Sequence, residues 1–162
     1  MADDDLACIA LQEQRLRFDA FDAHTAWKLA LALREDGVAS QAPIVAVIET
    51  WAMKLAAFAL PGATADNFDW ARRKINVVRR FQRSSYAVGL QMKASGKTLA
   101  DSGALPERDY ATHGGAFPIF VHGAGCIGAV AVSGLPQRED HGMVVAALAR
   151  VLGQDIADAT LA

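Results

Sequence analysis

Only two cysteines, Cys8 and Cys126, occur among the 162 residues. Two thiols cannot build a disulfide framework, and such sparse usage fits a reducing compartment. Long apolar runs are missing as well, and no stretch of about 18 apolar residues is there to span a bilayer. The chain does not open on basic residues, an apolar run and a small-residue cleavage site; Met1 leads straight into Asp3-Asp4-Asp5. Charge of one sign is not in excess, with 16 Lys+Arg against 18 Asp+Glu and a net charge of -2. Internal repeats, low-complexity tracts and a Pro/Gly/Ser linker are absent too. What is present is 52% hydrophobic and 21% charged, too apolar for a disordered tail. A chain of this length buries about 68–70% of its unfolded surface. The expectation is one soluble, cytoplasmic domain covering residues 1–162, without a membrane or nucleic-acid partner.

Periodicity organises that domain. Leu6, Ile9, Ala10 and Leu16 have roughly helical spacing behind an acidic start that suits the helix dipole. Arg15 to Phe18 alternates as a short strand would. A long helical pattern runs from Ala23 to about Asp36, with Gly37 where a terminating glycine belongs. Pro43 to Trp51 is short and β-branched, and Lys54 to Leu60 returns as its partner before Pro61-Gly62. Asp66 or Asn67 can cap a second long helix, from about Phe68 to Ser84 or beyond. A loop-like stretch from Gly96 to Tyr110 precedes two more β runs, Phe117 to Val121 and Ile127 to Val132. The last helix opens at Pro136 and repeats apolar residues at Val144, Ala147, Leu148, Val151 and Leu152. Hairpins, not single strands, alternate with helices. That order fits an α+β fold, an antiparallel sheet with helices packed on it.

Several motifs match a chemistry in letters but not in context. Gly123-Ala124-Gly125-Cys126-Ile127-Gly128 reproduces the dinucleotide fingerprint, yet a strand-like run follows where a phosphate-holding helix should start. A hairpin turn accounts for those glycines. Ser95-Gly96-Lys97-Thr98 resembles the end of a P-loop, but Gln91 stands where the motif requires glycine. No G-x-S-x-G elbow, paired zinc cysteines or His-x-x-x-His occurs. Cys126, inside a β run, reads as a small apolar residue, not a nucleophile. His24 lies in the first turn of its helix and reads as solvated. His113, His122 and His141 fall late in the chain, open either to a shared metal or haem site or to separate surface and capping roles.

Charge is segregated locally. Acids are absent from Trp70 through Ala100, where eight of the 16 cationic residues fall. Projected as a helix, Trp70, Ala71, Ile75, Val77, Val78 and Phe81 share one arc, while Arg72, Arg73, Asn76, Arg79, Arg80 and Arg83 share the other. A core-packing helix with a solvated basic face explains this pattern, and an anion-facing patch is the functional alternative. Lys74 breaks the sorting because it projects into the apolar arc. It must snorkel, meet a carboxylate, or face a cavity or subunit interface.

Trp70 to Phe81, Ser84-Ser85-Tyr86, His113 to Ile119 and Val132 to His141 resemble the HbpS-like, GlcG-like superfamily. The resemblance is to its bacterial and fungal branch labelled haem-degrading domain, and it covers about Leu6 to Leu152. It implies a profilin-like α-β-α layered sandwich and homodimers that build into larger symmetrical oligomers. It also implies a ligand site at Lys74, Asn76, Ser84, Ser85, His113, Gly114, Gly115 and His141. Haem or iron binding in some relatives makes haem, or another anionic cofactor or metabolite, the expected ligand. Lys74 and the arginines would pair with the propionates, and His113 or His141 would reach the iron. No nucleophile, base and orienting group can be placed together from spacing. A binding domain is therefore expected ahead of an enzyme, and haem degradation or small-metabolite chemistry enters by resemblance alone. The alternative is an oligomeric interaction or scaffold protein without a ligand, in which Lys74 serves a subunit interface.

Overall fold

A computed structural model describes residues 2–161. The chain folds as α1 (Ala2–Arg15), β1 (Arg17–Phe18), α2 (Ala23–Ala39), β2 (Val45–Thr50), β3 (Lys54–Ala59), α3 (Ala65–Phe81), α4 (Ser85–Ser95), β4 (Ala116–Val121), β5 (Gly125–Ser133) and α5 (Gln137–Leu152). Single 3-10 turns lie at Ala100–Ser102 and Ala157–Ala159. The five strands form one sheet in the order β1-β4-β5-β2-β3. Pairing is antiparallel from β4 through β3. At the far edge β1 pairs parallel to β4, so the sheet is mixed and not wholly antiparallel.

Alternation along the strands sends side chains to two cores. On one face Ala46, Ile48, Phe117, Ile119, Val130 and Val132 meet α2 and α5 through Leu29, Leu33, Val144 and Leu148. On the other, Val45, Val47, Ala116, Ala129 and Ala131 meet α3 through Ala71, Ile75 and Val78. Burial on both faces is what makes β2 and β5 read as continuous apolar runs. Each fully buried aliphatic or aromatic side chain contributes about 1.5–3 kcal/mol. The expected α-β-α layering is present, with α1 and α4 closing one end around Ile9, Tyr86 and Ala87. Among the described residues no helix is long and apolar enough to cross a membrane.

Three boundaries differ from expectation. Gly37 does not end α2, which continues to Ala39 and is capped by Ser40. A Cβ at Gly37 would lie 2.5 Å from Leu60 Cδ1, so this glycine permits close packing of α2 on the end of β3. The helix expected over Phe68 to Ser84 starts earlier, behind Thr64, and stops at Phe81. Gln82 takes a left-handed conformation, and Ser84 Oγ then accepts the Ala87 N–H at 3.2 Å to cap a separate helix, α4. The glycine-rich run at Gly123 is the hairpin turn of β4 and β5, with positive φ at Gly123 and Gly125.

Candidate functional site

One cleft, of about 260 Å³, is enclosed by α3, the start of α5 and the loop that carries His113. Helix α3 presents Asn67, Trp70 and Lys74, spaced so that they share a face. The end of β5 supplies Ser133, the turn after it Gly134 and Leu135, and the first turn of α5 Gln137 and Asp140.

Lys74 sits at the floor, only 2% exposed. Its Nζ donates to Asp140 Oδ2 at 2.8 Å and to the Val132 carbonyl at 3.1 Å. An ammonium has three N–H groups, so one remains. Asp140 is 1% exposed, and its Oδ1 accepts the Leu135 N–H at 3.0 Å. Burial pulls the Lys74 ammonium below its ordinary range and pushes the Asp140 carboxyl above its own, against the attraction of each for the other. The lysine in the apolar arc has thus met a carboxylate and a cleft together. Gly115 makes this contact feasible, because it has φ 128° and a Cβ there would fall 2.7 Å from Lys74 Nζ. The preceding Gly114 donates its N–H to Gln137 Oε1 at 3.2 Å, which ties the loop to α5.

His113 stands on the cleft wall, edge-on to Trp70 with ring centroids 5.1 Å apart. Burial first, then the charges of Lys74 and Arg73, lowers its pKa below the usual value, leaving a neutral imidazole. The Arg73 guanidinium lies 4.4 Å over the Trp70 ring and donates through Nε to the Glu107 carbonyl. A buried amine, a neutral imidazole, an aromatic wall and a rim cation suit a small polar ligand with an anionic end.

Of the site residues expected from sequence, Lys74, His113, Gly114 and Gly115 come together here. The others lie elsewhere. Asn76 donates to the Asp109 carbonyl at 2.8 Å and, with Arg72 and Arg73, clamps the loop before His113. Ser84 is a helix cap whose N–H donates to Glu13 Oε1 at 2.7 Å. Ser85 Oγ accepts the Ala116 N–H at 3.1 Å, pinning α4 to β4. His141 follows Asp140 by one residue, about 100° round the helix, and therefore faces the core. It is 0% exposed, lies between the Tyr86 and Phe117 rings, and donates through Nε2 to Gln12 Oε1 at 2.8 Å. His122 sits at the β4–β5 turn, 4.0 Å from Asp19, so the three late histidines do not converge. Among the described residues no group of three or more His, Cys, Asp and Glu could hold a metal ion. Burial pushes the Cys126 thiol up to about 11, consistent with an unreactive role.

Asn67, Trp70, Gln137 and Asp140 join the site only in the folded chain. Trp70 projects into the apolar arc, and its place one turn before Lys74 is the sequence signal that it also faces the cleft.

A family profile described as "Haem degrading protein HbpS-like" matches residues 21–149. A "UPF0303 protein" of Rhizobium rhizogenes is 54% identical over 152 residues, 94% of this chain and 93% of the relative. Among solved structures, the "Ybr137w protein" superposes with a TM-score of 0.84 at 26% identity, covering 91% of this chain and 87% of that one. A "PduOC:Heme Complex" superposes with a TM-score of 0.68 at 19% identity, covering 80% and 94%.

Proposed function

This chain belongs to the HbpS-like family of haem-degrading proteins, and on that premise we propose that the Lys74–His113 cleft binds a small carboxylate-bearing ligand, with haem as the first member of that class to test. The observation that carries the reading is the Lys74 amine, buried at the floor of a cleft with one N–H still to give. Haem itself fits in part. His113 is neutral and borders the cleft, as an axial ligand must, and Arg73 offers positive charge beside it for a propionate. His141 does not fit, being fully buried with Nε2 engaged by Gln12. A volume of about 260 Å³ is also below the roughly 300–1,000 Å³ of pockets that enclose drug-sized molecules. In the cleft of one chain, His113 would hold the iron and Arg73 a propionate. The haem-bound structure with a similar fold supports trying this ligand.

Haem titration is expected to give a Soret band that His113→Ala abolishes and His141→Gln leaves in place. An unchanged titration in His113→Ala overturns the haem assignment. Small carboxylates are expected to raise the melting temperature whether or not haem binds, since any ligand of the native state stabilises it.

A second reading, self-association, rests on a different surface. Trp27, Leu31 and Val38 are 57%, 41% and 51% exposed, and helical phase puts them on one stripe of α2. Such a stripe suits a second copy of the chain. Sedimentation at rising concentration should show a dimer or larger species, and Trp27→Glu should shift it toward monomer. An unchanged mass in that variant counts against the stripe.

A further inference from the structure

Lys74 is set apart from the other lysines, because Lys28, Lys54, Lys93 and Lys97 are all exposed. Its charge is paired with Asp140 at 2.8 Å, and its remaining N–H is the group left to meet a ligand. The Arg73 guanidinium, stacked on the cleft residue Trp70, adds a second cation for the anionic end. What the floor of the cleft offers is an amine, with a carboxylate in contact and an imidazole on the adjoining wall. Gly115 lets the backbone pack directly against the Lys74–Asp140 pair, since a Cβ there would fall 2.7 Å from Nζ and 3.0 Å from Asp140 Cβ.

We propose that Lys74 is a nucleophile whose amine condenses with the carbonyl of a small oxo acid held in this cleft. The inference deepens the carboxylate-binding reading and rests on it. Asp140 accepts a proton from the Lys74 ammonium and frees the nitrogen lone pair. The nitrogen attacks the carbonyl carbon, a C–N bond forms, and the C=O π pair moves to oxygen, which takes up that proton. His113, neutral and on the wall, is the group placed to relay protons between the two oxygens. The carbinolamine then expels water, which carries away the carbonyl oxygen and two hydrogens that began on the amine. Ammonium plus carbonyl gives protonated imine plus water, with no oxidant or reductant.

The charge balance favours this chemistry over acylation. A protonated imine keeps the positive charge beside Asp140, whereas an amide at Lys74 would strand a buried carboxylate. Release is the reverse hydrolysis, so the site can form and discharge the adduct through the same groups.

Trapping tests the proposal directly. The full-length protein is incubated with pyruvate and cyanoborohydride at neutral pH, and the adduct is located by intact mass and peptide mapping. One reduced adduct is expected, on Lys74, about tenfold or more ahead of each of the four exposed lysines, because only Lys74 has a carboxylate in contact to take its proton. Acetone, with the same carbonyl but no anion, is expected to label Lys74 more slowly. Lys74→Arg, which keeps a cation against Asp140, should lose the adduct, though mapping of the wild type decides without it. Labelling spread evenly over the lysines, or equal rates with pyruvate and acetone, overturns the proposal. If pyruvate raises the melting temperature but leaves Lys74 unlabelled, the imine falls and the binding reading stands. If pyruvate does neither, both fall for this ligand class.

Discussion

Lys74→Met is expected to cost the fold about 3–5 kcal/mol at neutral pH, the usual penalty for removing one partner of a buried ion pair. Met matches the length of the lysine stem and fills its space, so little of this loss is packing. The cost arises at Asp140, which remains 1% exposed with its Leu135 N–H but without a cation. It should depend on pH with a definite sign. Without Lys74, burial raises the folded-state pKa of Asp140 above that of the unfolded chain. Stability from such a group is fully present below the unfolded carboxyl pKa and is lost as pH rises through the folded one. The deficit of Lys74→Met against wild type should therefore shrink as pH falls toward the acid range. Lys74→Met combined with Asp140→Asn keeps an acceptor for Leu135 and removes both charges. It should be more stable at neutral pH than Lys74→Met alone, with that pH dependence abolished. Urea midpoints at constant slope measure all three proteins. Equal and additive costs for the two single changes would show that the residues do not act as a pair.

The features legible in the sequence are those where one local rule decides the outcome. β2 and β5 were recognisable because burial on both faces leaves no polar alternation to confuse them with loops. The turn at Gly123 was readable because a strand-like run followed it where a nucleotide site needs a helix. Lys74 stood out because a cation inside an apolar arc has few physical outcomes. The break between α3 and α4 was hidden, since the left-handed residue is Gln82 and no glycine or proline marks it. Gly37 misled for the opposite reason: a glycine that ends helices elsewhere here serves a close approach. The pairing of β1 with β4 involves two residues of β1 and has no pattern to detect.

Tertiary placement separated the site from its neighbours in sequence. Lys74 and Asp140 are 66 positions apart and meet only because α3 and α5 both reach the end of β5. Asp140 and His141 are adjacent, yet one lines the cleft and the other the core. Ser84, Ser85 and Asn76 lie close to Lys74 in sequence, but each holds backbone in place: a helix cap, a strand tie and a loop clamp. Arg72 and Arg73 show the same division within one basic run. Both are committed to the loop before His113, and Arg73 also stacks on the cleft residue Trp70.

His141 governs the second large effect, an acid-sensitive fold. Burial, followed by the Arg138 charge, brings its pKa from the usual 6.5 down to about 4. Nε2 donates to Gln12 Oε1, and Gln12 Nε2 donates to the Ala159 carbonyl at 2.7 Å, so one chain of hydrogen bonds joins α5, α1 and the C-terminal turn. Nδ1 has no partner among the described residues, which leaves a proton there with nothing to bind. The folded state therefore refuses a proton that the unfolded state accepts. Stability from this residue is complete above 6.5 and declines as pH falls toward about 4. At about 1.4 kcal/mol per pH unit, the loss over that interval is roughly 3 kcal/mol. His141→Gln keeps a donor for Gln12 but does not titrate. It should start less stable at neutral pH, where the ring packing against Tyr86 and Phe117 is lost. It should also show a flatter stability profile between those limits by about the same 3 kcal/mol. Parallel profiles for the two proteins would place the acid sensitivity in another group.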